Sequence, residues 1–430
     1  MAPGSKKVIE PAKNISGSLR LPGDKSISHR YAMLAALANG TTKLENFSAA
    51  ADCASTLQCM EGLGTVVRRD NGKVEIDGRG RRLIAPTSPL DCGNSGSTMR
   101  MLAGILAGQE FTSELFGDDS LTRRPMRRIM EPLAMMGAEV VGTGDHRPPL
   151  HIRGAKLKAI NYKPAIASAQ VKSCVLFAGM LANGETTVEE DVRTRDHGEL
   201  ALRAFGAEIK RTRTSVSIAG GQELKAIEAY VPGDLSSAAF FLCASALFPE
   251  SNLILDSVLL NPTRAGILDI LSSMGGKVSF LNVEQQHSEL IGTIQFRPGK
   301  LKGAKISGAQ IAGLIDELPV LAAIGPHTEE GIEIRDAREL RVKESDRIAA
   351  VAQNLRAMGA EVEEFDDGIR VPGKQRLHGA SIECFGDHRI AMAFAITALR
   401  ADGPTEIKDS DCAAVSYPNF FNDLDRLVER

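Results

Sequence analysis

Several short segments of the chain combine cations, hydroxyls and small residues in patterns suited to holding anions. Asp24-Lys25-Ser26-Ile27-Ser28-His29-Arg30 offers a hydroxyl residue that suits a helix cap, with Lys25 just before it and Arg30 four residues on, on the same helical face. Cys92-Gly93-Asn94-Ser95-Gly96-Ser97-Thr98-Met99-Arg100 is rich in glycine and hydroxyls ahead of an apolar stretch, as a backbone cradle for phosphate or carboxylate would be. It lacks the Gly-Lys-Ser/Thr ending of a Walker loop. The densest basic run is Arg123-Arg124-Pro125-Met126-Arg127-Arg128, followed by Ser168-Ala169-Gln170-Val171-Lys172 and Thr194-Arg195-Asp196-His197. Ile315-Asp316-Glu317-Leu318-Pro319 then puts two carboxylates at a helix start. Partial burial there would make one of them a base, and stabilisation of the helix N-terminus is the alternative. Arg341-Val342-Lys343-Glu344-Ser345-Asp346-Arg347 spaces Lys343 and Arg347 four apart, as on one helical face, and Gly386-Asp387-His388-Arg389 opens the last long apolar helix. Singly, each segment also describes a capped surface helix or a solvated ion-pair face. Their shared position at helix starts gathers them around one cleft for small, highly anionic substrates.

The elements that position these loops repeat. An apolar small-residue helix, a turn such as Asn39-Gly40-Thr41-Thr42, and a short strand recur at Ala107-Gly108-Gln109, Asn183-Gly184-Glu185, Pro249-Glu250-Ser251, Gly325-Pro326-His327 and Asp402-Gly403-Pro404. A second phrase interleaves: helices end in Leu63-Gly64, Met136-Gly137, Phe205-Gly206, Met274-Gly275 and Met358-Gly359, where glycine supplies the left-handed stop before another strand. Val74 to Gly78, Leu150 to Gly154 and Ile369 to Gly373 add strands that alternate apolar with polar residues. The fold class is therefore α/β, six copies of a helix-and-strand unit, with an ordinary doubly wound sheet as the alternative. Leu21-Pro22-Gly23-Asp24 recurs as Val231-Pro232-Gly233-Asp234 after three copies, which predicts paired crossovers between an inserted domain, 23–232, and a discontinuous one, 1–22 plus 233–430.

Bulk properties narrow the class. A chain of 430 residues exceeds one usual core, and no apolar run approaches the roughly 20 residues of a membrane span. The first twenty residues lack the apolar core of an export signal, so a soluble cytoplasmic protein is expected. Seven scattered cysteines with no Cys-x-x-Cys spacing read as buried thiols rather than as disulfides or a zinc site. A net charge of -3 and the absence of Trp argue against nucleic-acid binding. No set of ligands at metal spacing is present, so neither a metal nor an organic cofactor is expected.

Six of these motifs, in order, resemble the 5-enolpyruvylshikimate-3-phosphate synthases along essentially the whole chain. They are Pro22 to Arg30, Gly93-Asn94-Ser95-Gly96, Arg123-Arg124-Pro125, Ser168 to Ser173, Arg341 to Arg347 and Asp387-His388-Arg389. The resemblance implies a two-domain inside-out α/β barrel of six βαβαββ units, three per domain, that closes like a clamp. It implies transfer of the enolpyruvyl group of phosphoenolpyruvate to the 5-hydroxyl of shikimate 3-phosphate through a tetrahedral intermediate, in aromatic amino acid biosynthesis. Shikimate 3-phosphate would then meet Lys25, Ser26, Arg30, Ser168, Ala169, Gln170, Arg195, Asp316 and Lys343. Phosphoenolpyruvate would meet Lys25, Asn94, Gly96, Arg124, Gln170, Arg347 and Arg389. Asp316 is the implied base, Glu344 the implied carbon acid, and Lys25 shares in proton transfer or charge stabilisation. Ala169 stands where the enterobacterial pattern has a second phosphate-binding serine, and Val415 where it has a lysine, which resembles the family's second class. Glyphosate is a candidate inhibitor, with Gly96 leaving room for it, and a monomer is expected. The related UDP-N-acetylglucosamine enolpyruvyl transferases differ in their Lys-Asn start and loop cysteine, both missing here. A non-enzymatic repeat scaffold would spread its charges instead of gathering them at helix starts.

Overall fold

The computed structural model describes residues 5–430. They form two compact units. The first comprises residues 5–22, Pro232–Glu284 and Leu290–Arg430; the second comprises Gly23–Val231 with Gln285–Glu289. These bounds differ from the expected ones at two places. Pro232 groups with the first unit, and Gln285–Glu289 groups with the second, where His287 Nε2 lies 2.9 Å from the Glu228 carbonyl and the buried Glu289 pairs with His197 at 2.7 Å. The turn groups with the partners of its side chains, the buried His197 above all, rather than with the strands it joins.

Each copy of the repeat supplies two main helices. In the second unit they are α1 (Lys25–Leu37) and α2 (Ala51–Gly62), α3 (Gly96–Ala107) and α4 (Arg127–Met136), then α5 (Ala169–Leu181) and α6 (His197–Ala204). In the first unit they are α7 (Leu235–Ala246) and α8 (Gly266–Ser273), α9 (Leu318–Ile324) and α10 (Arg347–Ala357), then α11 (His388–Ala398) and α12 (Phe420–Leu427). The first helix of each copy is the inner one. Every residue of α7, α9 and α11 is buried, as is α1 from Ile27 onward; these segments are mostly apolar or small all round, and the histidine and arginine near the starts of α1 and α11 are buried with them. Small residues bring the inner helices close: a Cβ on Gly104 of α3 would lie 2.2 Å from the Cys174 carbonyl oxygen of α5.

The sheets form the outer layer. Thr41–Glu45, Thr112–Phe116 and Glu185–Glu189 alternate buried with more exposed residues, one face toward the inner helices and one toward solvent. Their plan repeats. In the second copy Leu90–Asp91 runs parallel to Thr112–Phe116, which pairs antiparallel with Arg147–Arg153, which in turn pairs with Glu139–Thr143. The third and fifth copies repeat that order, and the remaining sheets borrow strands from afar. Glu228–Tyr230 completes the first copy beside Thr41–Glu45, Asn14–Arg20 completes the fourth beside Asn252–Leu259, and Lys6–Ile9 pairs with Thr405–Lys408 in the sixth. The five helix-ending glycines all adopt positive φ: Gly64 +86°, Gly137 +106°, Gly206 +90°, Gly275 +106° and Gly359 +89°.

Two local expectations need correction. Asp24, not Ser26, caps α1: its buried carboxylate accepts from Ile27 N at 2.8 Å, which moves the helix start forward to include Lys25. Lys343 and Arg347 do not share a helical face. Lys343 follows the 3-10 turn Arg338–Val342, and α10 starts only at Arg347, because Asp346 caps it through a bond from Ala349 N. All seven cysteines are unpaired thiols, six of them buried and Cys412 half-buried. No described helix is long and apolar enough to cross a membrane.

Candidate active site

In the second unit the candidate residues lie at the N-terminal ends of the inner helices and on the loops beside them. Lys25 Nζ sits 2.9 Å from the buried Asp52 carboxylate at the start of α2, which fixes the ammonium against the helix start. Arg30, 3% exposed, donates to the Ser26 carbonyl at 2.8 Å and to Ser173 Oγ on α5 at 3.0 Å. Ser95 caps α3, accepting from Thr98 N at 3.0 Å. The preceding Asn94 accepts from Arg124 Nη2 at 2.7 Å and donates to Asp118 at 2.7 Å. A Cβ on Gly96 would fall 2.9 Å from Arg100 Nη1 and 3.2 Å from Arg124 Nη1, so two guanidinium groups already crowd the α-carbon of Gly96. Gln170 joins this set: its amide oxygen accepts from Arg100 at 2.7 Å and its amide nitrogen donates to Ser97 Oγ at 2.8 Å. Asn94, Gly96, Arg124 and Gln170 are thus brought together at α3. Ser168 caps α5, accepting from Val171 N at 3.4 Å, with Ala169 the first helical residue. Arg195 stands half-buried just before α6.

Beneath this array runs a chain of buried polar groups that ties the helix starts together. His29 Nδ1 lies 2.6 Å from Thr56 Oγ1, which lies 2.6 Å from Thr98 Oγ1, which donates to Ser95 Oγ at 2.7 Å. Burial, reinforced by the charges of Lys25 and Arg30, holds the His29 imidazole well below its usual pKa, so it is neutral.

In the first unit one arginine organises the candidate residues. Arg347, 1% exposed, donates through Nε to Asp387 at 2.8 Å and through Nη2 to Glu344 at 2.7 Å, and its Nη1 lies 3.7 Å from Asp316 Oδ1. Burial works against its charge, but Asp387 and Glu344 outweigh burial and hold the guanidinium more firmly protonated than usual. Burial likewise opposes the Asp387 carboxylate, which Arg347 nevertheless keeps below the usual range. Arg389 Nε is also 3.7 Å from Asp316 Oδ1, and Arg389 Nη1 donates to the Asp316 carbonyl at 2.8 Å. Lys343 is half-buried, and burial lowers its pKa even though Asp316 and Glu344 oppose the shift. Asp316, Lys343, Glu344, Arg347 and Arg389 therefore form one charged cluster, built from the turn before α9, the loop before α10 and the start of α11.

A family profile described as EPSP synthase (3-phosphoshikimate 1-carboxyvinyltransferase) matches residues 9–424. The chain belongs to the EPSP synthase family. It is 64% identical over 423 residues to the 3-phosphoshikimate 1-carboxyvinyltransferase of Koribacter versatilis, covering 98% of this chain and 99% of that one. It is 46% identical to the enzyme of the same name from Bacillus subtilis, over 98% of this chain and 99% of that one. The EPSP synthase structure from Acinetobacter baumannii superposes with a TM-score of 0.88 at 40% identity, covering 98% of each chain. The enolpyruvyl transferase NikO from Streptomyces tendae shares the fold, with a TM-score of 0.80 at 19% identity over 99% of this chain and 98% of that one. The protein is an enzyme, an enolpyruvyl transferase of the shikimate pathway.

Set within the EPSP synthase family, the site holds residues that the sequence reading left without roles. Asp52 pairs with Lys25, Arg100 grips Gln170, and Asp387 fixes Arg347. Arg100 ends the glycine- and hydroxyl-rich segment and Asp387 precedes His388-Arg389, so the sequence shows their neighbourhood but not their partners. Asp52 had no signal beyond an acid in the first turn of an ordinary helix. Val415 ends a short 3-10 turn, Ser410–Val415, and is half-buried.

Proposed function

We propose that the two units divide the chemistry of enolpyruvyl transfer, the second mainly holding shikimate 3-phosphate and the first supplying acid and base. Ser26 and Arg30 take the shikimate carboxylate; Ser168, Ala169, Gln170, Arg195 and Lys343 take its phosphate and ring. Lys25, Asn94, the Gly96 backbone, Arg124, Gln170, Arg347 and Arg389 take phosphoenolpyruvate. Asp316 removes the 5-hydroxyl proton as that oxygen bonds to the central carbon of phosphoenolpyruvate, and Glu344 protonates the methylene carbon. The tetrahedral phospho-ketal then loses phosphate while the new methyl group gives back a proton. Lys25, Arg124, Arg347 and Arg389 stabilise the charge that builds on carboxylate and phosphate.

The observation that carries this reading is the setting of Asp316, whose carboxylate oxygen is 3.7 Å from both Arg347 and Arg389. The two guanidinium groups beside this carboxylate are the ones assigned to phosphoenolpyruvate, so the proposed base stands next to the donors of the co-substrate. The protein works in the cytoplasm as a 46.0 kDa monomer without metal or organic cofactor, and glyphosate competes for the phosphoenolpyruvate donors. Seven unpaired cysteines support the reducing compartment. Phosphate release in the presence of both substrates, repeated with glyphosate, tests the reading. Release that requires both substrates, and that glyphosate suppresses competitively with phosphoenolpyruvate, is expected. Release with phosphoenolpyruvate alone overturns it.

A further inference from the structure

A buried charged trio in the second unit takes no part in the assignments above. Lys172 of α5 is 1% exposed, with Nζ 2.7 Å from Glu190 Oε2 and 2.8 Å from Glu199 Oε1. The same ammonium donates to the Thr194 carbonyl at 3.4 Å. Glu190 Oε1 accepts from Thr194 N at 3.3 Å and also from the Thr194 hydroxyl. The N–H, carbonyl and side chain of the residue before Arg195 are therefore all gripped by one ion pair. On the far side Asp196, 4% exposed, accepts from Arg193 and Arg211, each at 3.0 Å, and Arg211 Nε reaches Glu199 at 3.3 Å. Arg195 alone of residues 194–198 is not buried, and the chain just before it, Asp191 to Arg193, is exposed.

Such a trio is a costly way to hold a fold together. Desolvating a lysine and two carboxylates offsets most of their attraction, and apolar residues of the same volume would stabilise as well or better. Burial pushes the Glu199 carboxyl above its usual pKa even with Lys172 against it. What the trio does supply is direction, since it pins the backbone on which Arg195 stands just where the chain comes in from an exposed stretch.

We infer that Lys172 and Glu190 are positioning residues for Arg195, presetting its guanidinium for the phosphate of shikimate 3-phosphate. The inference rests on the assignment of Arg195 to that phosphate. A preset arginine loses less freedom on binding, so the gain falls on the affinity for that one substrate.

Steady-state kinetics of Glu190→Gln, Arg195→Ala and the double variant, in the full-length enzyme, test it. Glu190→Gln raises the KM for shikimate 3-phosphate about tenfold, with kcat and the KM for phosphoenolpyruvate moving less than about twofold. In the Arg195→Ala background the same change adds less than about twofold, because residues acting through one group are not additive. Independent multiplication of the two effects overturns the inference, as does an equal rise in both KM values, which a loosened fold would give. Unchanged affinity in Arg195→Ala removes the assignment of Arg195 and the inference with it. An effect of Arg195→Ala without one of Glu190→Gln removes the clamp alone. Thr194→Val keeps Lys172 paired with both carboxylates and serves if Glu190→Gln fails to fold. A selective rise of a few fold in the KM for shikimate 3-phosphate is expected of it, and none overturns the inference.

Discussion

Asp316 and Glu317 are neighbours in sequence with opposite surroundings. The Asp316 side chain is 20% exposed and faces Arg347 and Arg389; Glu317 is 2% exposed and accepts from Ser236, whose hydroxyl also receives a bond from the buried Arg264. The sequence left open which of this pair could act as a base, because both sit at a helix start. Only the rotation of the turn before α9 separates a carboxylate that meets cations from one locked into the interior. Asp316→Ala and Glu344→Gln are each expected to lower kcat by about two to four orders of magnitude, the usual worth of a general acid or base. Shikimate 3-phosphate binding, followed by titration calorimetry, should stay within about threefold, since its main donors lie elsewhere. Near-normal turnover in both variants would remove the assignment. Asp387 gives a pH signature. Its folded pKa is depressed, so its contribution to stability is complete above the unfolded carboxylate pKa of about 4 and is lost as pH falls through the folded value. The stability difference between the protein and Asp387→Asn, from urea titrations, should therefore be constant above about pH 4 and shrink below it. A difference that grows on acidification would contradict the Arg347 pairing.

At the scale of elements, the helix stops were the most legible feature and their energetics can be separated from packing. Gly137 ends α4 at φ +106° with nothing within 4 Å of where a Cβ would lie. Gly137→Ala should cost about 1 kcal/mol, almost wholly backbone strain. Gly104 is the opposite case, an ordinary helical residue whose added Cβ would meet the Cys174 carbonyl at 2.2 Å. Gly104→Ala forces α3 from α5 and should cost at least about 3 kcal/mol, as overpacking against backbone does. Chemical denaturation of the two variants checks the order, and equal costs would count against this packing. The alternating strands and the six-fold punctuation were readable because periodicity is local. Helix starts were less so: Asp24 outcompetes the neighbouring Ser26 as cap, which puts Lys25 inside α1, and the cap at Asp346 starts α10 only after Lys343. A string of capping residues does not reveal which of them the backbone will use.

At the scale of the molecule, the pairing of distant strands was hidden from the sequence. A parallel partner two hundred residues away leaves no periodic mark, yet such partners decide which segments can fold alone. The second unit closes its first sheet with Glu228–Tyr230, a strand from within its own continuous stretch. The first unit cannot do so from Pro232 onward, since its fourth-copy sheet needs Asn14–Arg20 and its sixth-copy sheet needs Lys6–Ile9. Residues 23–231 expressed alone should therefore fold cooperatively, whereas residues 232–430 alone should not. Joining residue 22 directly to residue 232 should restore folding of the first unit, because the Pro22 carbonyl already accepts from Asp234 N at 3.0 Å and the junction needs no added span. Circular dichroism and urea unfolding of the three chains decide the matter. A cooperative transition in residues 232–430 alone would mean that the borrowed strands are dispensable and that the inner helices suffice. Failure of the joined chain would mean that the inserted copies are needed to hold the two N-terminal strands in register. The expected outcome follows from edge geometry: without Asn14–Arg20, the strand Asn252–Leu259 is left with an unpaired edge beside α7, exposing backbone groups that must otherwise be satisfied.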